Sequence, residues 1–469
     1  MIKFGTGGWR EIIGDGFVKT NIQRIAAAMA LKMKKEGVDD NGFVVGYDRR
    51  FLSRQAAEWI CEVIAGEGIY CRLIDMEAPT PLVMFTVKYY NLDYGMAVTA
   101  SHNPAAYNGI KLFTKGGRDA DETVTSSLEE YVELVPDDIK TIPYQEAIKQ
   151  GLVEEIDSQN VYLDSIIRSI NTDAIRSRRL KIVLDPMFGV STSSIQTVLM
   201  TMRCSVSVIH DQHDTLFGGR LPAPTEKTLA DLRNCVMESK ADIGIATDGD
   251  ADRLGIIDET GRFIHPNQIL VILYYYLIKF KGWHGAAVRN IATTHMLDRV
   301  AKKFGEKCYE VPVGFKYISS KMQEVNAVIG GESSGGLTVR GHIQGKDGIY
   351  AAALLVEMLA VTGKKLSEIL NEIEEEFGSL IMLESDNKFS PERKQEIFKT
   401  VMEDKLIPDF GMEIERISYL DGCKIYFKNG GWLICRFSGT EPLLRIFCEM
   451  ENRKDVYTAT ETMKEFLNL

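Results

Sequence analysis

No two cysteines of this chain are spaced C-x-x-C; all eight stand apart, at positions 61, 71, 204, 235, 308, 423, 435 and 448. That spacing excludes zinc-ribbon and thioredoxin readings and suits free thiols in a reducing compartment. The stretch from Met1 to Arg10 lacks the apolar core of a secretory leader. The longest apolar run, Ile269 to Ile278, is about half of the ~20 residues a membrane span needs, so it reads as a buried helix. Positive charge is not in excess either: 55 Lys and Arg against 66 Asp and Glu leave a net charge of −11, which argues against a nucleic-acid partner. No G-x-S-x-G elbow surrounds Ser101, so a hydrolase triad there has little support. The expectation is a soluble cytoplasmic protein, monomer or homodimer, with neither nucleic acid nor membrane as a partner.

What is present is a repeated unit. Phe43–Tyr47 reads as a strand followed by Asp48 and a basic turn, then a helix from Ser53 to Ala65 and a strand from Tyr70 to Ile74. Lys181–Leu184, Asp185, a helix near Ser194 and a strand at Val206–Ile209 repeat the pattern. Ala286–Ile291, a helix from His295 to Phe304 and Cys308–Val311 form a third, looser copy. Strand–helix–strand units of about 25–30 residues imply largely parallel sheets covered by helices. After Ser385 the unit is lost. At 469 residues several domains are expected, here 1–150, 151–258, 259–372 and 373–469. The first helix carries Ile22, Ile25, Ala26, Met29, Ala30 and Met33 on one face, with Asn21 as its expected cap and Gly37 as its stop. That methionine stripe is core.

Two loops carry chemistry. Between expected strands at Ala241–Ala246 and Leu254–Ile257 lie Asp248, Asp250 and Asp252, separated by Gly249 and Ala251. Three ionised carboxylates about 4 Å apart repel by roughly 4 kcal/mol per pair at an effective dielectric of 20. A hard cation offsets this, and oxygen ligands suit magnesium or calcium. An EF-hand fits poorly, because Arg253 stands where its loop needs glycine and the flanks are strands. The second loop, Thr99-Ala100-Ser101-His102-Asn103-Pro104, follows the strand-like Tyr94–Val98. Loops after parallel strands are where open α/β folds place their sites, but a serine hydroxyl needs a base or a metal before it can act.

Thr99–Pro104 with Asn108-Gly109-Ile110-Lys111 closely resembles the phosphoserine loop of the α-D-phosphohexomutases, and Asp248–Arg253 resembles their metal loop. Gly331-Glu332-Ser333-Ser334-Gly335 is similar to their sugar-binding loop, and Arg436–Pro442 to their phosphate-binding loop. Phe4–Arg10 is similar to their N-terminal signature. The resemblance implies three tandem mixed-sheet α/β domains of similar topology plus a C-terminal α+β domain, around a central cleft.

By the same resemblance Ser101 carries a transferable phosphate and, with Asp248, Asp250 and Asp252, holds one Mg2+, while Arg10 belongs to the catalytic set. Arg253, Glu332 and Ser334 contact the substrate; Arg436, Ser438, Gly439, Thr440 and Arg445 clamp its far phosphate. Gly314, Phe315 and Lys316 look like the Gly-aromatic-Lys loop of phosphoglucomutases. Some relatives place histidine where this chain has Gly336; the stretch from His342 to Gly348, with Lys346, is the expected replacement. The general acid–base is open among Lys111, His102 and Lys346, with Lys111 the family-matched choice. His210 and His213 read as loop residues. The expected reaction interconverts α-D-glucose 1-phosphate and glucose 6-phosphate through glucose 1,6-bisphosphate, which also primes the serine, with a domain-scale closure over the substrate. Mannose, glucosamine or pentose phosphates are alternative substrates, and a phosphoserine-using sugar phosphatase is the rival from another class.

Overall fold

In a computed structural model, which describes residues 2–5, 7–437 and 443–469, four sheets follow one another along the chain. The first contains β1 (Trp9–Ile12), β2 (Phe43–Tyr47), β3 (Cys71–Ile74), β4 (Tyr94–Val98), β5 (Tyr107–Thr114), β6 (Arg118–Asp119) and β7 (Val153–Ile156). The second contains β8 (Lys181–Asp185), β9 (Ser205–Val208), β10 (Ile243–Thr247), β11 (Leu254–Asp258) and β12 (Phe263–Ile264). The third contains β13 (Ala287–Asn290), β14 (Cys308–Val311), β15 (Ile329–Gly331) and β16 (Leu337–Val339). The fourth contains β17 (Ile381–Lys388), β18 (Ile414–Ser418), β19 (Cys423–Phe427), β20 (Trp432–Phe437) and β21 (Leu443–Met450).

The first three sheets share one topology. Each has three neighbouring parallel strands and an antiparallel one beside them, in the orders β3-β2-β4-β5, β9-β8-β10-β11 and β14-β13-β15-β16. Central strands such as β2 and β10 are buried along their whole length, as continuous apolar runs covered on both faces must be. The fourth sheet, β17-β21-β20-β19-β18, is antiparallel throughout.

Three local expectations are corrected. β7 pairs with β3, so the first sheet extends beyond residue 150, with Val153 and Ile156 buried and Glu154 and Glu155 exposed between them. β12 likewise carries the second sheet past 258. The first helix starts at Lys19, with extended Val18 at its cap, while the Asn21 amide donates to Gly16 O; Gly37, at φ 68°, does end it. Ile269–Ile278 is buried inside the helix Pro266–Lys279, and among the described residues no helix is long and apolar enough to cross a membrane.

The third and fourth domains meet in a clasp. Lys424 of β19 is wholly buried and donates to Ile291 O (2.6 Å) and Glu310 Oε2 (2.7 Å). Glu310 also takes Arg289 and the Tyr426 hydroxyl. Ile291, Tyr426, Trp432, Ile434 and Phe447 pack around this network.

Candidate active site

The three functional loops occupy one place in the repeat: β4 to β5 for the serine, β10 to β11 for the aspartates, and β15 to β16 for Glu332. The metal loop is the hub. Its Asp250 carbonyl accepts from Thr80 N of the first domain at 2.9 Å, and its Ala251 carbonyl accepts from Gly348 N of the third at 3.2 Å. Arg253 forms a β-bridge to Gly336 in the sugar loop.

Ser101 has φ 52° and is buried, so its loop must be held in place. Arg50 holds it: Nη1 donates to Pro104 O and Tyr107 O, both at 2.9 Å, and Nη2 to Ser101 O (2.7 Å) and Asn103 O (2.6 Å). Asp48 pairs with Arg50 Nε at 3.4 Å, and the guanidinium lies over the Phe217 ring of the second domain. Ser101 Oγ donates to Asp248 Oδ2 at 2.8 Å and lies 3.3 Å from His102 Nδ1. The serine and the acidic loop therefore meet side chain to side chain.

Asp248, Asp250 and Asp252 are each fully buried, with ligand oxygens within 4.8 Å of one another. Lys111 Nζ donates to Asp250 Oδ2 and Asp252 Oδ2, both at 2.6 Å. Lys346 Nζ reaches Asp252 Oδ2 at 2.9 Å, and Arg253 Nε stands 3.9 Å from Asp248 Oδ2. Asp250 Oδ1 and Asp252 Oδ1 are buried without a hydrogen-bond partner, which a cation's coordination would satisfy. Burial, then Asp250 and Asp252, push Asp248 up to about 8. Burial works against the ionised form of Asp252 too, but Lys111, Lys346 and Arg253 outweigh it and hold that carboxyl well below the usual range. Lys111, Lys346 and Arg253 would offset the three acids once all were ionised, and a divalent ion beside a phosphate of nearly two negative charges would leave that balance unchanged. The residues fit a hard cation.

Burial disfavours the charge on Lys111, yet Asp250 and Asp252 raise it above the ordinary lysine range, so it keeps its proton here. Arg253, then burial, hold His102 neutral. Arg10 Nη1 donates to Asn103 Oδ1 at 2.8 Å, placing it on the serine loop. Glu332 Oε1 accepts from Asn290 Nδ2 and Gly314 N, both at 3.2 Å, and Ser334 Oγ lies 3.5 Å from Oε2. Phe315 is buried with Lys346 Nζ 5.9 Å from its ring centre, and Lys316 turns to Glu122 of the first domain at 3.5 Å.

Of the stretch expected to replace a histidine at 336, only Lys346 joins the acids. His342 is spent elsewhere: its Nε2 pairs with Asp347 Oδ2 at 2.6 Å and its ring packs on Tyr350. A Cβ at Gly336 would meet Lys346 Cδ at 2.3 Å, so glycine is what lets this lysine through. Arg436 and Arg445 face one another as strand partners on β20 and β21; Ser438, Gly439 and Thr440 lie outside the described residues. His210 pairs with Asp185 and His213 with Glu77.

Sequence reasoning missed Asp48, Asp185 and Asn290 as a set. Each ends the first strand of its repeat, and each accepts from the backbone N–H two residues on. Asp48 braces Arg50, and Asn290 braces Glu332. An acid or amide after every leading strand was the available signal.

Comparison with known proteins agrees with this geometry. Three descriptions match: phosphoglucomutase/phosphomannomutase alpha/beta/alpha domain I over residues 1–135, domain II over 160–261 and domain III over 265–377. A phosphoglucomutase/phosphomannomutase of Thermococcus kodakarensis is 31% identical over 99% of this chain and 97% of its own. A phosphoglucosamine mutase of Acetivibrio thermocellus is 30% identical over 96% of this chain and 95% of its own. A crystal structure from Thermus thermophilus, ascribed to a phosphomannomutase, superposes with a TM-score of 0.85 at 28% identity, covering 100% of this chain and 99% of that one. The chain belongs to the phosphoglucomutase/phosphomannomutase family of the α-D-phosphohexomutase superfamily, and is an enzyme that transfers phosphate intramolecularly.

Proposed function

We propose that the chain moves a phosphoryl group between O1 and O6 of a hexose through phospho-Ser101. The observation that carries this reading is the 2.8 Å contact between Ser101 Oγ and Asp248 Oδ2, which puts the expected acceptor hydroxyl on the rim of the acid trio. Asp248, Asp250 and Asp252 would hold Mg2+, which supplies charge neutralisation at the transferring phosphate.

The chain's own groups do the rest. Lys111, protonated between two carboxylates, neutralises charge; the proton leaving the sugar hydroxyl ends on Ser101 Oγ, beside which neutral His102 Nδ1 stands at 3.3 Å. The P–Oγ bond of phosphoserine breaks as the bond from phosphorus to the sugar oxygen forms, and Oγ receives that proton. Glu332 offers a carboxylate to sugar hydroxyls, and Arg436 with Arg445 offers forks to the distal phosphate. Because these forks do not read the sugar, they can take either end of a hexose 1,6-bisphosphate, the expected intermediate and priming donor.

For the substrate, Phe315-Lys316 and Lys346 point to glucose phosphate, but the names borne by the relatives favour glucosamine and mannose phosphates, and we rank those two first. Turnover of the four 1-phosphates, of glucosamine, mannose, glucose and ribose, tests this. Fastest turnover of glucose 1-phosphate reverses the ranking; inorganic phosphate released as fast as sugar is converted makes the chain a phosphatase; unimpaired isomerisation by Ser101→Ala removes the mechanism. Intact mass before and after glucose 1,6-bisphosphate is expected to show one phosphate gained at Ser101.

A further inference from the structure

One carboxylate outside the groups above touches both halves of the substrate machinery. Asp421 lies in the turn entering β19, and its Oδ2 accepts from the Val313 backbone N–H at 2.8 Å and from Arg436 Nε at 3.0 Å. Val313 opens the Gly314-Phe315-Lys316 loop of the third domain, whereas Arg436 belongs to β20 of the fourth. The turn is fixed in place. Gly422 has φ +94°, and a Cβ there would meet Cys435 O at 2.4 Å and Arg436 Cα at 3.1 Å, so Asp421 is pressed against the strand that carries the arginine.

The side chains of Asp421 and Arg436 are 24% and 19% exposed, shielded enough for a charge-assisted bond to matter. A guanidinium held through Nε keeps its Nη1/Nη2 edge for a phosphate. With the Val313 amide pinned to the same oxygen, the reach of Arg436 is tied to the position of the sugar loop. The buried clasp around Lys424, three residues along the chain, keeps the two domains in contact while this rim link sets their register.

Resting on the mutase reading above, we propose that Asp421 is a positioning residue that couples the sugar loop to the phosphate clamp. It keeps a hexose bisphosphate on the protein while the sugar turns round. The test uses the full chain with Asp421→Ala and Asp421→Asn, reading equilibrium binding of glucosamine 6-phosphate and glucose 6-phosphate, and turnover against added glucose 1,6-bisphosphate. For Asp421→Ala, binding weakens and KM rises by about tenfold, the scale of one lost charge-assisted bond. The bisphosphate needed for half-maximal rate rises by a similar factor, while kcat at saturating bisphosphate stays within about twofold. Asp421→Asn, which keeps an acceptor for Val313 and the same shape, falls between, and carries the test if the alanine variant does not fold. Unchanged KM and bisphosphate demand overturn the proposal, as does a joint fall of kcat and Tm with neither moved. Wild-type protein that binds the sugar phosphates without turning them over sinks the mutase reading, while the binding comparison still decides Asp421. Wild-type protein that does neither overturns both.

Discussion

At the scale of single residues, a buried serine in the left-handed region needs support from behind, and Arg50 gives it through four carbonyls. Arg50→Lys keeps the charge but cannot fork to all four. Stability is expected to fall by about 3 kcal/mol, from buried acceptors and Asp48 left underpaired, and kcat by more than tenfold as the loop loosens. Denaturant unfolding with steady-state kinetics checks both, and native values in both would mean that the loop supports itself. The aspartates were legible in the sequence because alternate acids are a local pattern, and Ser101 was so through the resemblance of its motif to a phosphoserine loop. Arg50 and Asp421 were not, since their partners lie far along the chain. His342 looked like a site residue through its neighbour Lys346, yet the two side chains take opposite paths, one to Asp347 and the other to Asp252.

At the scale of elements, one loop position in a thrice-repeated unit carries Ser101, the three aspartates and Glu332. The repeat was readable from Phe43, Lys181 and Ala286, because each short leading strand, followed by a helix and a second strand, has Asp48, Asp185 or Asn290 at its end. β7 was not readable, because a four-residue edge strand between helices shows only two buried positions. Close approach of the loops depends on Gly249, where a Cβ would stand 2.8 Å from Ser101 O. Gly249→Ala must push the serine loop and the metal loop apart. A displacement near 1 Å is expected to cost about a hundredfold in turnover, with circular dichroism unchanged; a variant as active as wild type would show that the two loops need not touch.

At the scale of the whole molecule, the clasp around Lys424 makes the joint between the third and fourth domains sensitive to pH. Burial, then Arg289, push Lys424 down from 10.5 to about 7. Burial also opposes ionisation of Glu310, yet the His295 hydrogen bond, Arg289 and Lys424 together hold it below the usual carboxylate range, so it stays charged near neutrality and adds no slope there. His295, pushed down to about 3 chiefly by burial, is neutral. Between pH 7 and 10.5 the unfolded chain binds more protons at Lys424 than the folded one, so stability rises with pH in that window. Relative to Lys424→Met, the wild-type protein is expected to gain about 2 kcal/mol from about pH 7 to about pH 9. Denaturation of both at the two pH values measures it, and parallel curves would show that Lys424 does not titrate there.

The same clasp has an optical consequence. Trp432 is wholly buried, with its ring 4.1 Å from Lys424 Nζ and stacked on His295, while Trp9, Trp59 and Trp283 lie in other parts of the chain. A chain retaining that indole alone would report wetting of the seam as a red shift in its emission, an intrinsic gauge of whether the last domain is docked.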